Sequence, residues 1–187
     1  MANGQVTTGL SGAYYALWAS GDVYSNGAAL ARAVSVSLET ETGDDNKFYA
    51  DNKVAEVILG VTNSGTATIT VDGLLDTARN AILGYTAPSG TDVWVGHNAT
   101  APYVGIGWVV RYISDGVTSY RAWVAAKCAV KDPGVAANTQ EDAIEFQTEE
   151  LEATLFADDA GELVYHSTSF ATEAAAVAAI KTKFNIQ

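Results

Sequence analysis

Tyr103-Val104-Gly105-Ile106-Gly107-Trp108-Val109-Val110-Arg111-Tyr112-Ile113 runs into Ser114-Asp115-Gly116 and leaves through Val117 to Val130, again rich in strand formers. Two such runs around an Asp-Gly pair predict a β-hairpin, because both turn positions must accept positive φ. Gly105 and Gly107 begin like a phosphate loop. The third glycine is missing, however, and no helix follows, so they are expected to leave room for a bulky neighbour such as Trp108. Within Trp123-Val124-Ala125-Ala126-Lys127-Cys128-Ala129-Val130 the single cysteine reads as a buried, inert thiol.

Outward from this hairpin the period-two pattern continues. Val34, Val36 and Leu38 alternate with Ser35, Ser37 and Glu39, and Ala67, Ile69 and Val71 alternate with Thr66, Thr68 and Thr70. Each predicts a strand with one buried and one wet face. Asn63-Ser64-Gly65 reads as a turn, with the run Val54 to Val61 pairing across it. Ile144 to Tyr165 suggests another hairpin, turning at Asp158-Asp159-Ala160-Gly161. Its alternation slips from even (Ile144, Phe146) to odd (Leu151, Leu155), predicting a bulge or bend near Thr148 to Glu150.

Two helices are expected. Leu74, Leu75, Ala78, Ile82 and Leu83 recur at helical spacing, with Asp72 as N-cap and Gly84 as stop. At residues 172–184, Thr172 caps an alanine-rich helix whose Ala176, Val177, Ile180 and Phe184 form a narrow apolar stripe. The fold expectation is a single domain over residues 1–187, mainly β (α+β): a β-sandwich or barrel with one or two flanking helices. Residues 39–53 and 131–142 are expected to be loops. The first carries Phe48 and Tyr49, an aromatic pair that either anchors a partner or folds back onto its own sheet.

Composition restricts function. Lys and Arg number 10 against 22 Asp and Glu, a net charge of −12. Eleven of those carboxylates lie between Lys131 and Lys181, where there is no Lys or Arg. Such a surface repels polyanions and does not grip nucleic acid or anionic membranes. No apolar run approaches the ~20 residues of a membrane helix, and no secretory signal is expected. One cysteine is consistent with folding in a reducing cytoplasm.

Catalytic patterns are poor, and an enzyme is not expected. His97 and His166 lie in unrelated segments without ligand spacing. Asp44-Asp45-Asn46 and Asp51-Asn52 lack the Asp-x-Asp-x-Asp-Gly frame of a calcium loop and read as turn chemistry. No nucleophile elbow or Walker sequence occurs, and neither a cofactor nor a metal is expected.

Four ordered segments carry a resemblance: Lys47-Phe48-Tyr49-Ala50-Asp51-Asn52, Ala101-Pro102-Tyr103-Val104-Gly105-Ile106-Gly107, Tyr120-Arg121-Ala122-Trp123 and Ile144-Glu145-Phe146-Gln147-Thr148. With Tyr14-Tyr15-Ala16 and the Thr172-Glu173-Ala174 helix, the set spans nearly the whole chain. It resembles the major tail (tail tube) proteins of long-tailed, non-contractile bacteriophages, phi13-type family. The chain departs from that pattern after Thr148, where proline commonly follows, and in having few lysines over 131–142.

The resemblance implies hexameric rings whose inner strands join into one β-barrel, stacked head-to-tail into a tube of the virion tail. Assembly would take place in the bacterial host cytoplasm. Partners would be other copies, the tape measure and the tail terminator, with genomic DNA passing through a hollow bore without specific binding and without membrane insertion. Glu39, Glu41, Glu56, Glu145, Glu149 and Glu152 are the candidate bore carboxylates. Asp44, Asp45, Lys47, Phe48, Tyr49 and Asp51 are the candidate ring-to-ring contacts. Two alternatives remain. One is an acidic β-sandwich binding module using Trp18, Tyr85, Trp94 and Tyr103 for sugar or protein. The other is a related tube of a secretion system or contractile tail.

Overall fold

The computed structural model describes residues 4–85, 92–93, 95–97, 99–137 and 147–186. The protein is mainly β. The 103–130 hairpin forms as expected: β7 (Val104–Ser114) pairs with β8 (Val117–Val130), and Asp115 and Gly116 both have positive φ at the turn. Residues 104–109 of β7 are all buried because it is covered on both faces, and its sequence is accordingly a near-continuous apolar run.

Around this hairpin all but two of the remaining strands complete one antiparallel sheet. β1 (Val6–Ala19) lies beside β7, with β2 (Val23–Ala31) at its outer side. Beyond β8 come β9 (Glu149–Phe156), β6 (Thr62–Val71) and β3 (Ala33–Thr42), giving the order β2-β1-β7-β8-β9-β6-β3. The two end strands, β2 and β3, are consecutive in the chain and separated only by Arg32. A chain that links opposite ends of a sheet through one residue forces the sheet to curl, and β3 accordingly approaches β1.

Inside the curl lies the larger core, with Ile69 and Val71 of β6, Leu151 and Leu155 of β9, Ile106 and Trp108 of β7. Helix α1 (Asp76–Leu83) contributes Ala78, Ile82 and Leu83 to it. On the other face of β7 and β8, helix α2 (Glu173–Lys183) buries Ala176, Ile180 and the following Phe184 against Ala16, Tyr24, Val109 and Val124. Thr172 caps α2 by accepting from the Ala175 N–H. Gly105 and Gly107 do make room, but for Phe184, Tyr24 and Ile180 and not for Trp108. A Cβ on Gly105 would stand 2.4 Å from Tyr24 Cε1 and 2.9 Å from Phe184 Cε1.

Several expectations give way to tertiary pairing. Val54 to Val61 does not pair with β6, whose two edges are taken by β3 and β9. Instead β5 (Lys53–Ile58) pairs with β4 (Asn46–Ala50) across Asp51-Asn52, both at positive φ. Residues 39–53 are therefore the end of β3 plus one strand of a hairpin, not a loop. Asn63-Ser64-Gly65 lies within β6. Gly65 is needed there because a Cβ would meet Glu39 O at 2.5 Å. Asp158 to Gly161 does turn, but β9 and β10 (Val164–His166) do not pair with each other; they occupy successive stretches of the same edge of β8.

Asp72 does not cap α1, which starts after Leu75 without a side-chain cap; its carboxylate bonds Arg32 instead. Gly84 closes that helix in the left-handed conformation. Val34, expected to be buried, is exposed because the β3–β6 register shifts between Ala33 and Ser35. The slip near Thr148 to Glu150 coincides with the start of β9, which then runs in unbroken register with β6. Ile144 and Phe146 lie outside the described residues, as does 138–142 of the second expected loop. Among the described residues no helix is long and apolar enough to cross a membrane.

The docking of α2 on a glycine floor is directly testable. Phe184→Ala is expected to lose about 3–5 kcal/mol of unfolding free energy and Gly105→Ala about 1–3 kcal/mol, read from urea transitions. Gly96→Ala, which meets nothing within 4 Å, should stay within about 0.5 kcal/mol of the parent.

Candidate functional site

Two surface features stand apart from the rest: a projecting hairpin, and the open face of the sheet from which it grows. Every residue of β4 and β5 is exposed. The register pairs Tyr49 with Val54 and Lys47 with Val57 on one face of this arm; Phe48 with Glu56 and Asn46 with Ile58 lie on the other. Both faces thus carry large apolar side chains. Phe48 is 65% exposed, Tyr49 62% and Ile58 69%, and Leu59 and Val61 follow in the same state. A two-stranded hairpin alone is marginal in water, and contiguous apolar exposure of this kind marks a contact surface.

The arm is pinched at its base. A Cβ on Gly60 would fall 1.6 Å from Gly43 O, so the two crossing strands require glycine there. The Gly43 N–H donates to Val61 O at 3.2 Å, and the Gly60 N–H donates to Asp45 Oδ1 at 3.0 Å. Asp45 therefore holds the base, while Asp51 shapes the tip and Asp44 and Lys47 remain exposed. Among the expected contact residues, Phe48 and Tyr49 are brought together on one arm but point to opposite faces. The apolar partners Val54, Val57 and Ile58 were not expected as contact residues; their signal was the apolar run after Lys53, in which Glu56 is the one charge before Gly60.

The second feature is the outer face of β3, β6, β9 and the end of β8. Cross-strand rows read Ser35–Thr70–Glu150, Ser37–Thr68–Glu152, Glu39–Thr66–Thr154 and Glu41–Ser64–Phe156. The opposite face of β6 and β9 holds Ala67, Ile69, Leu151 and Leu155, so alternation alone separates core from this polar face. Hydroxyls tie the rows: Ser35 Oγ donates to Thr70 Oγ1 at 2.9 Å and Ser64 Oγ to Glu41 Oε2 at 3.3 Å. Lys131 pairs with Glu152. Among the described residues no helix covers this face.

Of the expected bore carboxylates, Glu39, Glu41 and Glu152 share this face. Glu56 is on the arm, and Glu145 lies outside the described residues. Glu149 turns to the other side, where Oε1 accepts from Arg79 Nη2 at 2.6 Å and Oε2 from the Leu74 N–H at 2.9 Å. Its place is taken by Glu150, legible from parity with Glu152.

Arg79 also reaches Asp132 at 3.5 Å, and Asp132 accepts from the Tyr85 hydroxyl. The bond from Tyr85 and the Gly134 N–H hold the Asp132 carboxyl below its usual range, and the same bond raises the Tyr85 phenol. Tyr85 is thus committed to a structural link. Trp18 and Tyr103 do meet, edge to face at 6.0 Å, but Lys127 Nζ lies 3.8 Å over the Trp18 ring and occupies its face. Trp94 lies outside the described residues. Burial pushes the Cys128 thiol up to about 12, and among the described residues no metal-binding cluster occurs. No protein-family model and no curated protein matches this chain.

The two-sided strand makes a sharp contrast measurable. Glu149→Ala leaves Arg79, whose side chain is 17% exposed, without its closest partner, and should cost about 1.5–3 kcal/mol. Glu150→Ala, one residue away, should stay within about 0.5 kcal/mol. Equal losses in denaturation would refute the assignment of faces.

The Tyr85–Asp132 link has a defined pH window. Asp132 is depressed in the folded state, so its contribution is full above the unfolded value of about 3.9 and lost as pH falls through the folded value. Tyr85 is raised, so its contribution is full below about 10 and lost as pH rises through its folded value. The stability gap between the parent and Tyr85→Phe should be constant between these limits and narrow on both sides. A gap that persists into strong acid would contradict this link.

Proposed function

We propose that the chain is the repeating, non-enzymatic subunit of a hollow tubular assembly of the phage tail-tube kind, built from stacked hexameric rings in a virion tail. The observation that carries this reading is the arm, a hairpin apolar on both faces that reaches into solvent and so calls for other copies to enclose it. The ordered motifs that resemble tail tube proteins, and the number six, enter from that resemblance. The long β3 strand adds support, since its outer edge offers backbone donors and acceptors of the kind that barrel closure pairs.

In this reading the hydroxyl- and carboxylate-bearing face lines the bore. Glu39, Glu41 and Glu150, repeated around a ring, repel phosphates at contact; Glu152 is paired with Lys131, and the short Ser and Thr side chains add no further cation. Screening over ~8–10 Å makes this a short-range cushion for passing DNA. The arm makes the ring-to-ring contact, and α2 lies on the outer wall. The tape measure and tail terminator are the other partners. The sugar-binding alternative is less well supported, because Lys127 covers the Trp18 ring that would stack on a sugar.

Electron microscopy of the purified protein over rising concentration tests the proposal. Rings or tubes are expected, and Phe48→Ser with Tyr49→Ser should leave soluble protomers that no longer elongate. Tubes of unchanged length in that variant would remove the arm from the contact. A monomer at every concentration would end the tube reading.

A further inference from the structure

At the end of β3 opposite the arm there is a groove of about 650 Å³. Its position follows from register. Ala33 pairs with Val71 at one end of the β3–β6 ladder and Thr42 with Thr62 at the other, where the arm begins. The ten residues of β3 separate the two by roughly 30 Å at ~3.3 Å per residue. The groove is lined by Gly12, Ala13, Tyr14, Ala31 and Leu75, with Arg32 at the rim. Leu75 is 55% exposed although it borders α1, and the Arg32 side chain is 91% exposed while paired with Asp72.

Resting on the assembly reading above, we infer that this groove receives the tip of the arm of a second copy. Small side chains make it an open, largely apolar recess, and one arginine–aspartate pair supplies its charge. A small-molecule site would instead gather several convergent polar groups. The volume suits a few large side chains and not a whole hairpin. The tip offers such a set in Tyr49 and Val54, a cross-strand pair on one face beside the Asp51-Asn52 turn.

Over 43–61 the arm is net acidic, with Asp44, Asp45, Asp51 and Glu56 against Lys47 and Lys53, and Arg32 at the groove, engaged through Nε with Asp72, keeps a 91% exposed side chain toward it. Donor and acceptor lie at opposite ends of one ladder, so a copy displaced along β3 brings tip to groove. Every copy then uses both surfaces, in a heterologous contact that repeats without closing on itself.

Cross-linking between copies tests this placement. Lys53→Cys puts a thiol at the tip and Leu75→Cys one in the groove, both at exposed positions. The native Cys128 is fully buried and stays silent. With a short bis-maleimide, the double variant should give a ladder of multimers on denaturing gels, and each single variant no species beyond dimer. Leu75→Glu, which adds a like charge against the acidic arm, should lower the assembled fraction by about tenfold or more. Rings or tubes in micrographs without a ladder, with Leu75→Glu assembling like the parent, would overturn the groove as acceptor and leave the assembly reading standing. Absence of any assembly at all concentrations would overturn both.

Discussion

Burial of the β7–β8 hairpin on both faces is the constraint on which the rest of the structure depends. Its inner face meets the core inside the curled sheet, and its outer face meets α2. A strand covered on both sides has no free register, since a slip by one residue would exchange two different apolar surfaces. The other strands take their positions from this pair: β1 along β7, then β9 and β10 on successive stretches of β8. Gly105 and Gly107 belong to the same constraint, because Phe184 reaches the sheet only where a Cβ is missing. Burying Phe184 stabilises this contact by about 1.5–3 kcal/mol, much of what one helix can add to a marginally stable domain.

The curled sheet leaves its surfaces unequal. Outside the core, the sheet is closed by α2 over β7 and β8 and carries rows of Ser, Thr and Glu over β3, β6 and β9, and at one end the arm departs through the Gly43–Gly60 crossing. Burying the arm's apolar residues at ~25 cal/mol per Å² is favourable, yet among the described residues every position of β4 and β5 is exposed. The groove beside Arg32 offers walls of matching, largely apolar character. In the proposed assembly, stability of the protomer and association of copies are thus located in different parts of the molecule. Substitutions in the arm should affect the second with little effect on the first.

Local rules were reliable wherever one physical effect acted alone. Ala67, Ile69 and Val71 are buried and Thr66, Thr68 and Thr70 face outward, because alternation maps directly onto the two faces of a strand. The Asp115-Gly116 turn and the Thr172 cap formed as local chemistry dictates. They were unreliable where two partners competed. Asp72 had the spacing of an N-cap but bonds Arg32; Val54 to Val61 had a plausible neighbour in β6, which was already paired on both edges. Glu149 and Glu150 differ by one position: alternation within β9 puts Glu149 on the side of Leu151 and Glu150 on the open face, but that Arg79 and the Leu74 N–H wait for Glu149 is a long-range outcome.

The sequence by itself determined the strand content, the hairpin that organises the sheet, the C-terminal helix with its apolar stripe, and the excess of carboxylates, because each follows from local pattern or composition. Tertiary structure decided which strands share an edge, that residues 43–61 form a projecting arm, and that Glu39, Glu41, Glu150 and Glu152 share one face while a groove opens at the far end of β3. These are outcomes of long-range pairing, in which each strand edge can be used only once, and no window of neighbouring residues contains that information.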